Sequence, residues 1–186
     1  MTELSTLRDL SVKATRVTDD GLLQHISQLS ESQGLLLAYL NISDASLLAL
    51  ESVVWLERVN LRHTSITNDG IVNFVSGKTH TLRRLNLSNT VISDAALAEC
   101  LPHSQLASLS LIDTSITDAA SKACAGSEWL ADLRLNLTDI TDDGARHLAN
   151  CVHLKNLELF RTKVTDTGLV WLSDTVSNIL VSAIHP

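Results

Sequence analysis

The sequence predicts an α/β solenoid: a short right-handed arc with a parallel β-sheet on its concave face and helices on its convex face. The first observation is a triplet of Ile or Val, Thr or Ser, and Asp or Asn, which recurs seven times at spacings of 24 to 26 residues. The second is a change in the apolar pattern, which alternates with period two before each triplet and follows helical spacing after it. One such unit cannot bury its own apolar face, so consecutive units are expected to stack side by side.

Each strand is predicted from a run of leucines upstream of the triplet. The full pattern is Leu-x-x-Leu-x-Leu-x-x-Thr-x-Ile, and one unit that shows it comprises Leu82, Leu85, Leu87, Thr90 and Ile92. Leucines two residues apart lie on the same side of a strand, so both are expected to point into the core. The second unit departs from the pattern, because it has Ser32 at the first leucine position and Leu40 in place of Thr.

Each helix is predicted to begin at the triplet. Its Ser or Thr can accept hydrogen bonds from the first helix amides, and its carboxylate favours the positive end of the helix dipole. The triplet is therefore interpreted as a local helix cap. The Thr of the strand pattern is predicted to form a ladder of hydroxyls that bond to the turns between repeats. Its members are Thr15, Thr64, Thr90, Thr114, Thr138 and Thr162.

The repeated unit resembles that of leucine-rich-repeat proteins. It is most similar to the subclass whose units end in Ile-Thr-Asp-x-Gly-Leu, called cysteine-containing repeats, in which a Cys often stands where this sequence has Thr. The resemblance covers nearly the whole chain and implies a leucine-rich-repeat solenoid. Residues 1–186 are accordingly expected to form a single domain, with seven repeats of about 24 residues and a truncated C-terminal strand within residues 176–184.

The composition narrows the environment and the partners. A net charge of -7 disfavours binding to nucleic acid, which depends on Lys and Arg. Three cysteines are an odd number, so a disulfide framework is not expected and the cytoplasm or another reducing intracellular compartment is favoured. No signal peptide and no apolar stretch long enough to span a membrane are seen, so the protein is expected to be soluble.

The sequence offers no constellation typical of catalysis or metal binding. Cys100 and Cys124 occupy a position where other repeats have Leu or Phe, so they are interpreted as core residues. The seven histidines fall at several different phases of the repeat and do not converge on one face. A phosphate-binding loop and a nucleophile elbow are also missing. We therefore predict no catalytic residue, no metal site, no cofactor and no small-molecule substrate.

The repeat pattern does not fix the residue type at strand positions that point away from the core, so residues with a function are expected there. Three arginines on neighbouring strands, Arg58, Arg62 and Arg84, are predicted to grip an acidic segment. Apolar side chains at solvent-facing positions are predicted to supply anchors. The full predicted set for partner binding is Arg58, Arg62, Arg84, Leu36, Tyr39, Ile112, Phe160, Arg134 and Glu158. A solvated face with scattered apolar residues is the alternative interpretation.

These observations favour a non-catalytic protein–protein interaction module. It would act as a scaffold or adaptor, or as a subunit of a larger complex, and would bind another protein through its concave face. The alternative is a small acidic inhibitor or immunity protein that occludes a basic enzyme site, which the net charge of -7 favours. An enzyme is the third class, and the sequence supports it least.

Overall fold

The computed structural model describes residues 6–173 and 178–180, and within them eight short strands alternate with seven α-helices. The strands are β1 (Asp9–Ser11), β2 (Gly34–Leu36), β3 (Arg58–Asn60), β4 (Arg84–Asn86), β5 (Ser108–Ser110), β6 (Asp132–Arg134), β7 (Asn156–Glu158) and β8 (Asn178–Leu180). The helices are α1 (Asp19–His25), α2 (Asp44–Leu50), α3 (Asn68–Ser76), α4 (Asp94–Cys100), α5 (Asp118–Ala125), α6 (Asp142–Leu148) and α7 (Asp166–Ser173). Short 3₁₀ segments, Ile26–Leu29 and Leu101–His103, follow α1 and α4.

All strands pair in parallel and in chain order, β1 to β8, and each helix packs on the next. The register places equivalent residues of neighbouring repeats side by side, for example Leu85 beside Leu109. The middle residue of each strand from β2 to β7 points into the core, and Leu35, Leu109 and Leu157 are no more than 1% exposed. The predicted α/β solenoid with a parallel sheet and a helical layer is confirmed.

The two exceptional residues of the second repeat both belong to the core. Ser32, at the first leucine position, is fully buried, and its hydroxyl donates a hydrogen bond of 2.8 Å to the carbonyl oxygen of Leu7. Leu40, in place of Thr, is 3% exposed. A buried hydroxyl is tolerated when it has a partner, so the departure at Ser32 does not interrupt the core.

The column of Thr residues bonds within each repeat, and the prediction that it links the turns between repeats is wrong. The hydroxyl of Thr114 donates to the carbonyl oxygen of Leu111, three residues earlier, at 2.6 Å. Thr15, Thr64, Thr90, Thr138 and Thr162 make the same bond in their own repeats. These hydroxyls therefore hold the turns that follow β1 and β3 to β7.

The link between repeats comes instead from the Asp of the triplet. The carboxylate of Asp118 accepts from the amide of Thr141 at 2.8 Å and from the Thr141 hydroxyl at 2.6 Å. The same pair of bonds joins Asp19 to Ser43, Asp44 to Thr67, Asp94 to Thr117 and Asp142 to Thr165. We call this row of contacts the carboxylate ladder. Hydrogen bonds from the hydroxyl and amide of Thr165 hold the pKa of Asp142 below its usual value.

One rung of the ladder uses an amide in place of the carboxylate. The carbonyl oxygen of Asn68 accepts from the Ser93 amide at 3.0 Å, and its NH₂ group donates to the Ser93 hydroxyl at 2.8 Å. The expected local cap is a weaker feature, because the N–O distance to the same helix is 3.2 to 3.4 Å where it is made. For the helices that begin after Thr18, Thr67 and Ser93, no side-chain cap bond is formed.

Glycine in the Ile-Thr-Asp-x-Gly motif makes room for the ladder. A methyl group at Gly70 would meet the carboxylate of Asp44 and would lie 2.9 Å from its Cβ atom. A methyl group at Gly144 or Gly168 would likewise meet the carboxylate of Asp118 or Asp142. Gly21 belongs to the first described repeat, and a methyl group there would meet only Val17, at 3.7 Å.

This contrast predicts opposite effects of the same substitution at Gly21 and Gly70. We expect Gly21→Ala to raise the free energy of unfolding by about 0.5 to 1 kcal/mol, because alanine favours the helix. We expect Gly70→Ala to lower it by about 1 kcal/mol, because crowding of Asp44 outweighs that gain. Two other repeats hold Ala96 and Ala120 at this position, so the required shift is a small one. Urea denaturation measures both, and equal effects would contradict the proposed role of Gly70.

Candidate functional site

A shallow depression of about 200 Å³ lies on the concave face of the sheet, across strands β2 to β6. Most of its lining comes from first and third strand residues, which face away from the core, and the middle residues Val59 and Leu85 also contribute to it. Its lining is Leu36, Arg58, Val59, Asn60, Arg84, Leu85, Asn86, Ser108, Ser110 and Arg134. Four residues of the predicted binding set, Leu36, Arg58, Arg84 and Arg134, are therefore brought together here.

The three arginines of the depression differ in their charge partners. Arg58 forms ion pairs with Asp9 at 2.9 Å and with Glu57 at 3.5 Å. The hydrogen bond from Arg58 to Asp9 raises the pKa of the guanidinium. Arg134 pairs with Glu158 at 3.0 Å, so the predicted contact residue Glu158 serves as its counter-ion. Arg84 is exposed and forms no ion pair with any residue that the structure describes.

Two asparagines and two serines of the depression were not selected from the sequence. Neutral polar side chains on a solvent-facing strand do not differ in type from an ordinary surface, so composition gives no signal for them. The strand register does single out two of them, because Asn60 and Asn86 are paired neighbours in β3 and β4. Each uses its carbonyl oxygen on a backbone amide at 3.0 Å, that of Arg62 for Asn60 and that of Ser88 for Asn86.

Arg62 does not line the depression, which corrects the predicted cluster of Arg58, Arg62 and Arg84. Its strand ends at Asn60, so the alternation of inward and outward side chains does not continue to Arg62. The guanidinium carbon instead lies 5.5 Å from the ring centre of Tyr39, and the ring of His63 lies 5.1 Å from the Tyr39 ring. Tyr39 and Arg62 thus form a separate patch at the edge of the sheet.

The other predicted anchors, Ile112 and Phe160, are half-buried and lie outside the depression. The Ile112 amide donates to the hydroxyl of Ser88 at 3.2 Å. The ring of Phe160 is covered by the guanidinium of Arg161, whose central carbon is 5.5 Å from the ring centre. Both residues therefore follow their strands, as Arg62 does, and the structure does not bring them to the arginines.

Tyr39 belongs to a row of residues with left-handed backbone, one at the same turn of each described repeat. The row comprises Ala14, Tyr39, His63, Asn89, Asp113, Leu137 and Arg161, with φ between 55° and 61°. Asn and Asp adopt this conformation with little strain, whereas Tyr and Leu do so at a cost. The exposed side chains of Tyr39 and Leu137 are thus held in place by the repeat.

Three exposed tryptophans were also not selected from the sequence. Trp55 is 61% exposed, and Trp129 and Trp171 are each 50% exposed. Trp55 and Trp129 both lie three residues before a strand, in the loops that lead from the helices into the sheet. They are thus separate from the concave depression. Their position in the repeat carries no apolar pattern of its own, which is why periodicity did not single them out.

The three cysteines are free and buried, as expected for core residues. Burial raises the pKa of Cys100 and of Cys151 to about 12, and it raises the pKa of Cys124 as well. Within residues 6–173 and 178–180, no three His, Cys, Asp or Glu side chains are placed to share a metal ion. No helix in the described part of the chain is long and apolar enough to cross a membrane.

Comparisons with known proteins agree with this architecture. The family model described as Leucine Rich repeat matches residues 78–98, 126–149 and 150–173. A search of curated protein sequences finds no match. Several solved structures are similar to this chain in fold.

An internalin (inlF) from Listeria monocytogenes superposes with a TM-score of 0.68 at 18% identity, over 97% of this chain and 49% of that one. The present chain therefore spans about half the length of that internalin. Internalin C2 (inlC2) from Listeria monocytogenes gives a TM-score of 0.64 at 20% identity, over 96% and 82% of the two chains. The structure of the yeast Rad7 and Elc1 complex gives a TM-score of 0.67 at 22% identity, over 81% of this chain and 41% of that one. The three matched segments thus show that the chain contains leucine-rich repeats, in agreement with the repeated sequence pattern and the sheet topology.

Proposed function

We propose that the chain is a non-catalytic protein–protein interaction module, a scaffold or adaptor or a subunit of a larger complex, that binds its partner through the concave face. The observation that carries the proposal is the concave depression, where guanidinium and amide donors lie beside the exposed Leu36. Arginine is among the residue types enriched in binding hot spots. Tyr39, Arg62, Ile112 and Phe160 are proposed as contacts around this centre.

The repeat architecture supports a protein as the partner. Stacked repeats form extended concave surfaces of the kind that solenoid proteins use for binding. One structure of similar fold is that of a complex between two proteins, Rad7 and Elc1. Nucleic acid is disfavoured by the net charge of -7. We propose no cofactor and no small-molecule substrate for this surface.

We propose a reducing intracellular compartment such as the cytoplasm, because three free cysteines do not form a disulfide framework. Buried thiols whose pKa is raised are poor partners for disulfide exchange, and all three cysteines are of this kind. We also propose that the repeats belong to the cysteine-containing subclass, with Thr in the Cys position. The hydroxyl bond that each of these Thr residues makes to its own turn is consistent with that assignment.

The net charge of -7 favours the second candidate, a small acidic inhibitor or immunity protein that occludes a basic enzyme site. Such an inhibitor would present carboxylates to the enzyme. In the concave depression the exposed group without a counter-ion is the cation of Arg84. An inhibitor of this kind would therefore bind through another face, and its partner would be an enzyme whose activity the chain abolishes.

The proposed function predicts that a charge reversal on the concave face removes the partner. The chain serves as bait in extracts of its own organism, and the proteins captured by the wild type, by Arg84→Glu and by Arg146→Glu are compared by mass spectrometry. Arg146 is exposed on α6, so its reversal changes the net charge equally but away from the sheet. We expect one protein to be lost with Arg84→Glu and kept with Arg146→Glu, with both variants as stable as the wild type. Retention of every captured protein by both variants would contradict concave-face binding.

A further inference from the structure

We propose that the concave depression binds a single carboxylate, the side chain of an Asp or Glu in an extended segment of the partner protein. The inference rests on the concave-face binding proposed above and adds the chemical group that is recognised. The guanidinium of Arg84 and the side-chain NH₂ groups of Asn60 and Asn86 are the donors, and Leu36 contacts the aliphatic part of the ligand.

The orientation of the two asparagines is fixed by the backbone. A carbonyl oxygen, and not an NH₂ group, must face a backbone N–H donor, so the bonds to Arg62 and Ser88 place each NH₂ group on the other side. Neither NH₂ group has an acceptor among the residues that the structure describes. Asn60 and Asn86 are register partners, so the two NH₂ groups belong to neighbouring strands. Neighbouring strands of a sheet are about 4.8 Å apart.

The charge at Arg84 also calls for an anion. Arg84 is the register partner of Arg58, and like charges side by side on adjacent strands destabilise a sheet. Asp9 and Glu57 offset the charge of Arg58, whereas Arg84 has no such partner within residues 6–173 and 178–180. A bound anion at Arg84 would offset the remaining positive charge and would accept hydrogen bonds from the asparagine NH₂ groups as well.

The surroundings favour a carboxylate over a phosphate. One guanidinium without a counter-ion matches one negative charge, while a phosphate monoester carries about -1.5 to -2 at neutral pH. The carboxylates of Asp9, Glu57 and Glu158 flank the depression through their pairs with Arg58 and Arg134. They would repel the second charge of a phosphate, so the site is expected to prefer Glu or Asp over phosphoserine.

The size of the depression fits one side chain. A volume of about 200 Å³ is smaller than the pockets of about 300 to 1,000 Å³ that hold drug-sized ligands. Leu36 is 41% exposed at the β2 end of the lining and offers an apolar surface to the methylene groups of a Glu side chain. The occupant is therefore one residue of a segment that runs across the strands.

Short peptides test the site without knowledge of the partner. The probes are acetylated and amidated peptides of sequence Gly-Leu-Xaa-Gly, with Glu, Gln or phosphoserine as Xaa, titrated into the ¹⁵N-labelled full chain. The NMR signals followed are the side-chain NH₂ groups of Asn60 and Asn86 and the Nε–H group of Arg84. Arg84→Gln removes the charge at the site, and Arg146→Gln on α6 is the matched control.

We expect the Glu peptide to shift all three side-chain signals in a saturable manner, with a Kd on the order of 1 mM. The Gln peptide and the Arg84→Gln variant should each weaken binding at least about tenfold, which corresponds to about 1.4 kcal/mol, and Arg146→Gln should stay within about twofold. The proposal is overturned if the Glu peptide shifts none of these signals at about 20 mM, or if Arg84→Gln binds as the wild type does. Tighter binding of the phosphoserine peptide would overturn it in favour of a phosphorylated partner.

This result is separable from that of the capture experiment. Loss of a captured protein with Arg84→Glu, together with silent peptides, would leave concave-face binding intact and refute the single-carboxylate site. Saturable binding of the Glu peptide, together with unchanged capture by Arg84→Glu, would support the site and refute its use by the partner.

Discussion

Replacing Leu111 by Ala is expected to lower the free energy of unfolding by about 2 to 5 kcal/mol. Leu111 follows β5 near the middle of the arc and is fully buried. Its amide donates to the carbonyl oxygen of Arg134 at 2.9 Å. This bond fixes the backbone at Leu111, so the neighbouring strands cannot move in to fill the space of the missing atoms. The variant therefore leaves a cavity between β5 and its neighbours.

Leu36→Ala is the matched control for Leu111→Ala, since it removes the same atoms from a side chain that is 41% exposed on the concave face. Its expected effect is under about 0.5 to 1 kcal/mol. Urea denaturation followed by circular dichroism measures both variants. Similar losses at the two positions would show that the assigned inward and outward directions are wrong.

Removing one rung of the carboxylate ladder is expected to have the second large effect. Asp118→Ala leaves the amide and hydroxyl of the half-buried Thr141 without their acceptor. We therefore expect the free energy of unfolding to fall by about 2 to 3 kcal/mol. In a solenoid each repeat contacts only its neighbours, so the loss weakens the joint between α5 and α6 and not the protein as a whole. Hydrogen exchange measured on either side of this joint would show where the chain opens.

Asp118→Asn separates geometry from charge at the same rung. Asn68 already bonds to Ser93 through its carbonyl oxygen and its NH₂ group, so an amide can fill this position. We expect Asp118→Asn to cost under about 1 kcal/mol. A loss as large as that of Asp118→Ala would mean that the negative charge, rather than the pair of hydrogen bonds, holds the joint.

The sequence predicted the fold well because the core follows from periodicity alone. Leucines at every second strand position must point into the core of a stacked repeat. Leu85 and Leu109 are buried side by side as expected. The ladder was not predictable in the same way. A Thr-Asp pair at a helix start has the same local pattern whether the carboxylate bonds to its own helix or to Thr141 one repeat later.

The candidate site was predicted in part for a related reason. Arg58 and Arg84 fall on the same row because equivalent residues of the repeat do. The pairing of Arg58 with Asp9 joins residues 49 positions apart and depends on β1 and β3 lying close enough for long side chains to meet. Arg62 was misplaced because the strands have three residues, so the alternation of sides ends before it reaches that position.

The carboxylate ladder makes the repeat an exchangeable unit. Residues 118–141 begin with a ladder Asp and end with a ladder Thr, and their excision would join Thr117 directly to Asp142. Thr117 would keep its bonds to Asp94, and Asp142 would keep its bonds to Thr165, so no rung would lose a partner. Shortening or lengthening the gene by whole repeats can thus change the reach of the concave face in steps of about 4.8 Å, one strand at a time, while every rung of the ladder keeps its partner.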